Sequence, residues 1–196
     1  MNLANKITIA RIALVPLLIL FLQPFPEWLV QRYGVFGFID RYGVYLATLI
    51  FITAAATDKL DGYVARTYNQ ITNLGKLLDP LADKLLIATA LIMLVQTDSV
   101  QSWVAVVIIG REAVITAIRV MAASKGVVLA ADRYGKWKLV LQVAAISGVL
   151  VQQFPIMSMN LLPIGSALMV AAVLLTVYSG VRYMFRNYKL LQLSDA

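Results

Sequence analysis

Six long apolar segments dominate this chain of 196 residues, in which 61% of the residues are hydrophobic and 14% are charged. Soluble domains carry about 25% charged residues, so this composition indicates an integral membrane protein. A helix needs about 20 apolar residues to cross the hydrocarbon core, whereas barrel strands alternate over shorter segments. The predicted fold is an all-α bundle of six transmembrane helices. Their predicted ranges are Ile7 to Leu22, Tyr42 to Tyr68, Leu81 to Val95, Trp103 to Ala123, Trp137 to Val151 and Leu162 to Phe185.

The connections between these segments show no internal repeat and no low-complexity stretch. Gln23 to Asp40 is the one polar stretch that resembles a linker, because it contains two prolines and two glycines. Residues 1–196 are therefore predicted to form a single membrane domain.

Lysine and arginine are distributed unevenly over the predicted loops. With a cytoplasmic N-terminus, the loops on the far side contain only Arg32 and Arg41, and the other loop lysines and arginines fall on the near side. This asymmetry predicts that both termini are cytoplasmic. It also explains the net charge of +7 without a nucleic-acid partner, and none is predicted. The predicted location is the cell membrane, with the functional site facing the cytoplasm.

Four aspartates interrupt the apolar sequence at regular intervals: Asp58, Asp61, Asp79 and Asp83. Carboxylates are costly in hydrocarbon and usually persist where they bind metal, conduct ions or do chemistry. Spacings of three and four residues place the two members of each pair on one helix face. If two such faces meet, their four negative charges require cations, and a hard, oxygen-seeking metal is the natural counterion. A divalent-cation transporter is one interpretation of this cluster.

Cysteine and histidine are absent from the chain. Disulfides, Cys/His zinc sites, thiol nucleophiles and imidazole bases are thereby excluded. Any proton acceptor must be Asp, Glu, Lys or Tyr.

The complete acidic segment follows the pattern Asp58-x2-Asp61-Gly62-x2-Ala65-Arg66-x8-Gly75-x3-Asp79-x3-Asp83. This pattern resembles the signature of the CDP-alcohol phosphotransferase family at every defining position. The resemblance implies a six-helix membrane bundle, usually a homodimer. It also implies a reaction in which the hydroxyl group of an acceptor displaces CMP from a CDP-linked lipid or alcohol.

The aspartates have distinct predicted roles in such a reaction. A diphosphate cannot approach carboxylates unless a cation lies between them, so Asp58, Asp61 and Asp79 are predicted ligands for a pair of Mg²⁺ or Mn²⁺ ions. With no histidine available, the acceptor hydroxyl must lose its proton to a carboxylate. By the resemblance, Asp83 is the family's proposed base, and it is also predicted to contact a metal.

Other residues of the pattern are predicted to bind the CDP-linked lipid. Gly62 leaves room for a nucleotide beside the backbone, and Arg66 can donate paired hydrogen bonds to phosphate oxygens. The resemblance places Thr72 against the cytidine. Asn5 and Thr8 would line the cytoplasmic entrance of the site, although Asn5 could equally cap a helix.

A second group of charged residues lies in and after the fourth predicted span. Arg111 falls near the middle of an apolar run, where a guanidinium costs several kcal/mol unless it faces a polar cavity or an anion. Glu112 and Arg119 are seven residues apart on one helix face, and an ion pair between them is expected. Lys136 and Lys138 follow in the next segment. The group is either a structural salt bridge with flanking lysines or a basic pocket for a phosphorylated acceptor.

Three stretches, NLANKITIAR, REAVITAIR and GKWKLVLQ, narrow the choice of acceptor. They resemble family members that transfer a phosphatidyl group from CDP-diacylglycerol to sn-glycerol 3-phosphate and release CMP. The resemblance implies that the acceptor phosphate is held by Arg11, Arg111, Arg119, Lys136 and Lys138. Inositol phosphate or phosphatidylglycerol as the acceptor is the alternative within the family.

Overall fold

Helices form all the regular secondary structure in the described part of the chain, because a backbone in hydrocarbon must pair its own N–H and C=O groups. The computed structural model describes residues 3–67, 73–124, 126, 133–154 and 162–192, and these contain no strand. The helices are α1 (Leu3–Leu22), α2 (Glu27–Arg32), α3 (Gly34–Thr67), α4 (Asn73–Gln96), α5 (Ser102–Ser124), α6 (Arg133–Gln152) and α7 (Leu162–Gln192). The all-α prediction is confirmed for these residues.

Three of the helices are long and apolar enough to cross a membrane. The segments concerned are Asn5–Leu22 of α1, Gly34–Thr57 of α3 and Ile164–Asn187 of α7, and α6 contains a shorter apolar segment, Trp137–Gln152. Helices α4 and α5 have 24 and 23 residues, which suffices in length, but both carry charged side chains. The helices therefore indicate a membrane protein. Six crossings and cytoplasmic termini stay predictions.

The stretch predicted as a linker, Gln23 to Asp40, is largely helical. The short helix α2 follows Pro26, with Glu27 in its first turn and Arg32 in its last, both favourable to the helix dipole. Helix α3 then begins at Gly34, before the predicted start of the second span. Each glycine costs a helix about 1 kcal/mol, but α1 and α2 both pack against α3. Tertiary contacts outweigh that cost here.

Helix α1 packs against both α3 and α4, and α6 packs against α7. Leu18 of α1, Phe51 of α3 and Leu91 of α4 are fully buried where the first three long helices meet. Close packing of such side chains holds helices together in a bilayer, where lipid tails are as apolar as the core. Helices α1 and α3 approach each other closely at Gly43 of α3, where an added Cβ atom would lie 2.3 Å from the carbonyl oxygen of Phe21.

The connection between α3 and α4 determines where the acidic segment lies. Helix α3 ends at Thr67 and α4 begins at Asn73, and the two helices contact each other as well as α1. The helical turns that carry the four aspartates adjoin this connection. Helices α1, α3 and α4 therefore form the frame of the candidate site.

Gly43→Ala is expected to destabilise the protein by about 1–3 kcal/mol, because the new methyl group must push the backbone of α1 away from α3. The apparent melting temperature of purified protein in detergent measures the effect, and we expect a decrease of several degrees. Gly34→Ala on the same helix is the matched control, since nothing lies within 4 Å of its added Cβ. Equal melting temperatures for the two variants would contradict this account of the α1–α3 contact.

Candidate active site

A buried arginine joins the three helices that frame the site. Arg11 of α1 is 1% exposed. Its Nη1 donates to Oδ1 of Asp83 on α4 at 2.9 Å, and its Nε donates to the carbonyl oxygen of Ala54 on α3 at 3.1 Å. A guanidinium in such surroundings needs both an opposite charge and further acceptors. The Asp83 carboxylate is therefore oriented by α1.

The polar residues predicted on α1 lie on the same face as Arg11. Asn5 and Thr8 are 5% and 0% exposed, and the spacing of three residues aligns them with Arg11 along the helix. All three point into the bundle rather than into lipid. Their position agrees with a role at the site, and their contact with a nucleotide stays a prediction.

The backbone places Asp58 and Asp61 within α3 and Asp79 and Asp83 within α4, so both pairs have the helical spacing on which the prediction rests. The predicted roles of seven residues cannot be followed further, because the residues or their side chains lie outside the described part of the structure: Asp58, Asp61, Gly62, Arg66, Thr72, Asp79 and Lys136. Among the side chains that the structure describes, no three Asp or Glu residues form a group that could hold a metal ion.

A cavity of about 450 Å³ lies between α4, α5 and α6, beside Asp83. Its wall is mostly apolar, and polar side chains enter it at a few points. Those polar residues are Asp83, Lys84, Glu112, Thr116, Lys138 and Gln142. A concave, mainly apolar site with a few convergent polar groups is typical of a binding site for a small molecule.

Glu112 is the centre of the charged group on α5. Its Oε1 accepts hydrogen bonds from Nη1 of Arg111 at 2.9 Å and from Nζ of Lys138 on α6. Lys138 is 4% exposed, so its charge needs this carboxylate nearby. The prediction of an ion pair between Glu112 and Arg119 is therefore wrong. Arg119 instead donates from Nε to the hydroxyl of Tyr183 on α7 at 3.1 Å and lies 5.1 Å from the centre of that ring.

Four of the five cations predicted to hold an acceptor phosphate occupy different places. Lys138 lines the cavity. Arg111 is connected to it through Glu112, Arg119 contacts α7, and Arg11 contacts Asp83. Lys136 belongs to the residues whose side chains are not described.

Three polar residues of the cavity were not predicted from the sequence, namely Lys84, Thr116 and Gln142. Lys84 follows Asp83 directly, and its Nζ donates to Oγ1 of Thr116 across the cavity. Thr116 in turn donates to the backbone oxygen of Glu112 at 2.6 Å. The spacing of four residues between Glu112 and Thr116, which puts both on one face of α5, was a signal that could have identified Thr116. Lys84 had no such signal, because a lysine at a span end also fits a topological role.

Comparison with known proteins gives consistent matches over nearly the whole chain. The sequence model of the family described as CDP-alcohol phosphatidyltransferase matches residues 1–178. A Bacillus subtilis protein named CDP-diacylglycerol–glycerol-3-phosphate 3-phosphatidyltransferase is 42% identical over 195 residues, covering 99% of each chain. A Rickettsia felis protein of the same name is 34% identical and covers 93% of each. A Mycobacterium tuberculosis protein named probable phosphatidylglycerophosphate synthase is 38% identical over 94% of this chain and 81% of its own.

Proposed function

The chain belongs to the CDP-alcohol phosphatidyltransferase family, and from this premise we propose that it transfers a phosphatidyl group from CDP-diacylglycerol to sn-glycerol 3-phosphate. The products are phosphatidylglycerophosphate and CMP, which makes the reaction a step in anionic phospholipid biosynthesis. The observation that carries the proposal is the 42% identity to the Bacillus subtilis protein, which extends over 99% of both chains. The cavity beside Asp83, with lysines in its wall, supports an acceptor that carries a phosphate.

The protein is proposed to be a multi-pass protein of the cell membrane, with six crossings and with both termini and the site on the cytoplasmic side. The apolar helices support the membrane location. The unequal distribution of lysine and arginine supports the orientation. On the basis of the family resemblance, the protein is also proposed to be a homodimer and to bind membrane lipids.

Asp58, Asp61, Asp79 and Asp83 are proposed to hold two divalent ions, Mg²⁺ or Mn²⁺. The donor set fits such ions, because hard cations take carboxylate oxygens and the two pairs lie on neighbouring helices that contact each other. When bound, the ions supply the positive charge that a diphosphate needs beside carboxylates and stabilise the negative charge of the departing CMP. Gly62, Arg66, Thr72, Asn5 and Thr8 are proposed to bind CDP-diacylglycerol.

The chemical step is proposed to be a direct displacement. Asp83 accepts the proton of the acceptor hydroxyl, while that oxygen forms a bond to the phosphatidyl phosphorus. The bond from this phosphorus to the bridging oxygen of the diphosphate breaks, and CMP leaves. Arg11 holds the Asp83 carboxylate in a fixed direction at the edge of the cavity. Such preorganisation of the base and the acceptor raises the reaction rate most when the reacting atoms are held within contact distance.

The acceptor phosphate is proposed to bind among the cations of α4, α5 and α6. Lys84 and Lys138 line the cavity. Arg111 is connected to Lys138 through Glu112. Arg119, Lys136 and Arg11 belong to the same proposal by the family resemblance. Lys84 is well placed for this role, because its partner among the described cavity residues is the neutral hydroxyl of Thr116. Its positive charge is therefore available to an anion.

Release of CMP by purified protein in detergent tests the proposed reaction. We expect turnover with CDP-diacylglycerol and glycerol 3-phosphate to exceed turnover with inositol phosphate, serine or phosphatidylglycerol. Product analysis should detect phosphatidylglycerophosphate in amounts equal to CMP. Faster turnover with one of the other acceptors would overturn the acceptor assignment and leave the family standing. No CMP release with any acceptor would overturn the proposed activity.

Asp58→Asn, Asp61→Asn and Asp79→Asn are each expected to lower turnover at least about a hundredfold, equivalent to ~2.7 kcal/mol of transition-state stabilisation. Excess EDTA should abolish wild-type activity, and Mg²⁺ or Mn²⁺ should restore it. Asp98→Asn, in the turn after α4, is the matched control and should keep wild-type turnover. Full activity in EDTA would contradict the metal site.

Lys84→Gln is expected to raise the KM for glycerol 3-phosphate about tenfold, equivalent to ~1.4 kcal/mol, because a cation facing the acceptor is lost. The KM for CDP-diacylglycerol should change less than about twofold. Lys6→Gln removes an exposed lysine from α1 and serves as the control. If the two KM values rise together in Lys84→Gln, Lys84 does not bind the acceptor selectively.

A further inference from the structure

Helix α7 contributes no residue to the described wall of the cavity, yet its inward face is unusually polar. Thr176, Ser179 and Tyr183 are at most 2% exposed and lie on one side of the helix. The opposite side is apolar and exposed, as at Leu174 and Phe185. Polar groups are costly in a bilayer unless they are paired within the bundle. The polar side of α7 therefore has partners on other helices.

The partners of this polar face are residues that surround the cavity. Ser179 Oγ accepts a hydrogen bond from Nη2 of Arg111 at 3.1 Å and donates to the backbone oxygen of Thr176 at 3.1 Å. Oγ1 of Thr176 accepts from Nε2 of Gln142 at 2.9 Å. Arg111 and Lys138 both bind Oε1 of Glu112. These contacts join α5, α6 and α7, and the ring is closed by α6 itself, on which Lys138 and Gln142 lie about one turn apart.

Steric contact reinforces the hydrogen bonds of this ring. The aliphatic part of Arg111 lies over Gly180, where an added Cβ atom would be 3.1 Å from Cγ and 3.4 Å from Nε. The Nε of Arg111 is buried and has no hydrogen-bond partner among the described residues. The direction of this side chain is therefore set by Gly180 beneath it and by Ser179 and Glu112 at its end.

We propose that Ser179 and Gly180 of α7 are positioning residues for the acceptor phosphate, acting through Arg111 and Glu112 on Lys138. They hold the Arg111 guanidinium against Glu112, and Glu112 holds the Lys138 ammonium at the cavity wall. This inference rests on the proposed function, since it assigns an effect on glycerol 3-phosphate. A helix outside the cavity thereby determines how well the acceptor is bound.

Kinetics of the full-length protein in detergent test the inference. Ser179→Ala removes the acceptor for Nη2 of Arg111, and Gly180→Ala displaces its aliphatic part. Each variant is expected to raise the KM for glycerol 3-phosphate about fivefold, while the KM for CDP-diacylglycerol changes less than about twofold. Ser166→Ala, on the exposed face of α7, is the matched control and should leave both constants unchanged.

A double-mutant cycle tests the route through Glu112. In a Glu112→Gln background, Ser179→Ala should raise the KM for glycerol 3-phosphate less than about twofold further, because the connection to Lys138 is already broken. A full fivefold effect in that background would overturn the inference.

The remaining outcomes are also decisive. Unchanged constants in Ser179→Ala, or equal increases for both substrates, would overturn the inference and leave the proposed function intact. If Ser179→Ala does not yield folded protein, the same criteria are applied to Gly180→Ala. If neither variant folds, Ser179 and Gly180 have a structural role, and the inference is overturned. No wild-type turnover with glycerol 3-phosphate would overturn the proposed function, and this inference with it.

Discussion

The ion pair between Arg11 and Asp83 is the contact on which the arrangement of the site depends. The Arg11 side chain has no exposed area, whereas that of Asp83 is 26% exposed. Removal of Asp83 would leave a buried guanidinium without this opposite charge, which destabilises the fold strongly. Because Arg11 also binds the carbonyl oxygen of Ala54, one side chain fixes α1 against both α3 and α4. A shift of α1 by one residue would rotate Arg11 by about 100° and break both contacts. The direction of Asp83 is thus coupled to assembly of the first three long helices.

Helices α5 and α6 are also joined by an ion pair, but there two cations share one carboxylate. Arg111 and Lys138 share one oxygen of Glu112, so two cations balance a single carboxylate and one positive charge remains. That surplus lies at the wall of the cavity through Lys138, and Lys84 adds a further cation. Under the proposed function, an anion bound there would balance the positive charge that these described side chains carry. The proposed preference for a phosphorylated acceptor is then a consequence of the ion pairs between α5 and α6.

The sequence predicts helix and membrane location well and side-chain partners poorly, for physical reasons. Apolar length and aspartate spacing are local properties, so the all-α fold and the places of the four aspartates on α3 and α4 followed from them. Partners depend on neighbouring helices. Glu112 and Arg119 share a face of α5, yet Lys138 from α6 and Tyr183 from α7 lie closer to them. The same limit applies to the predicted linker, where contacts of α3 with α1 and α2 outweigh the helix cost of glycine at Gly34 and Gly37.

Helix α4 brings the two charge systems together, because consecutive residues belong to different ones. Asp83 contacts Arg11 on one side, and Lys84 contacts Thr116 on the other. Neighbouring residues of a helix differ by about 100° in direction and 1.5 Å in height, so the backbone fixes the two Cα atoms, and the contacts with Arg11 and Thr116 orient the two side chains. Under the proposed function they are the proton acceptor and a phosphate-binding cation. Helix α4 would then favour acceptors in which the hydroxyl and the phosphate lie a particular distance apart. Contacts from α5 and α6 would add to this selectivity.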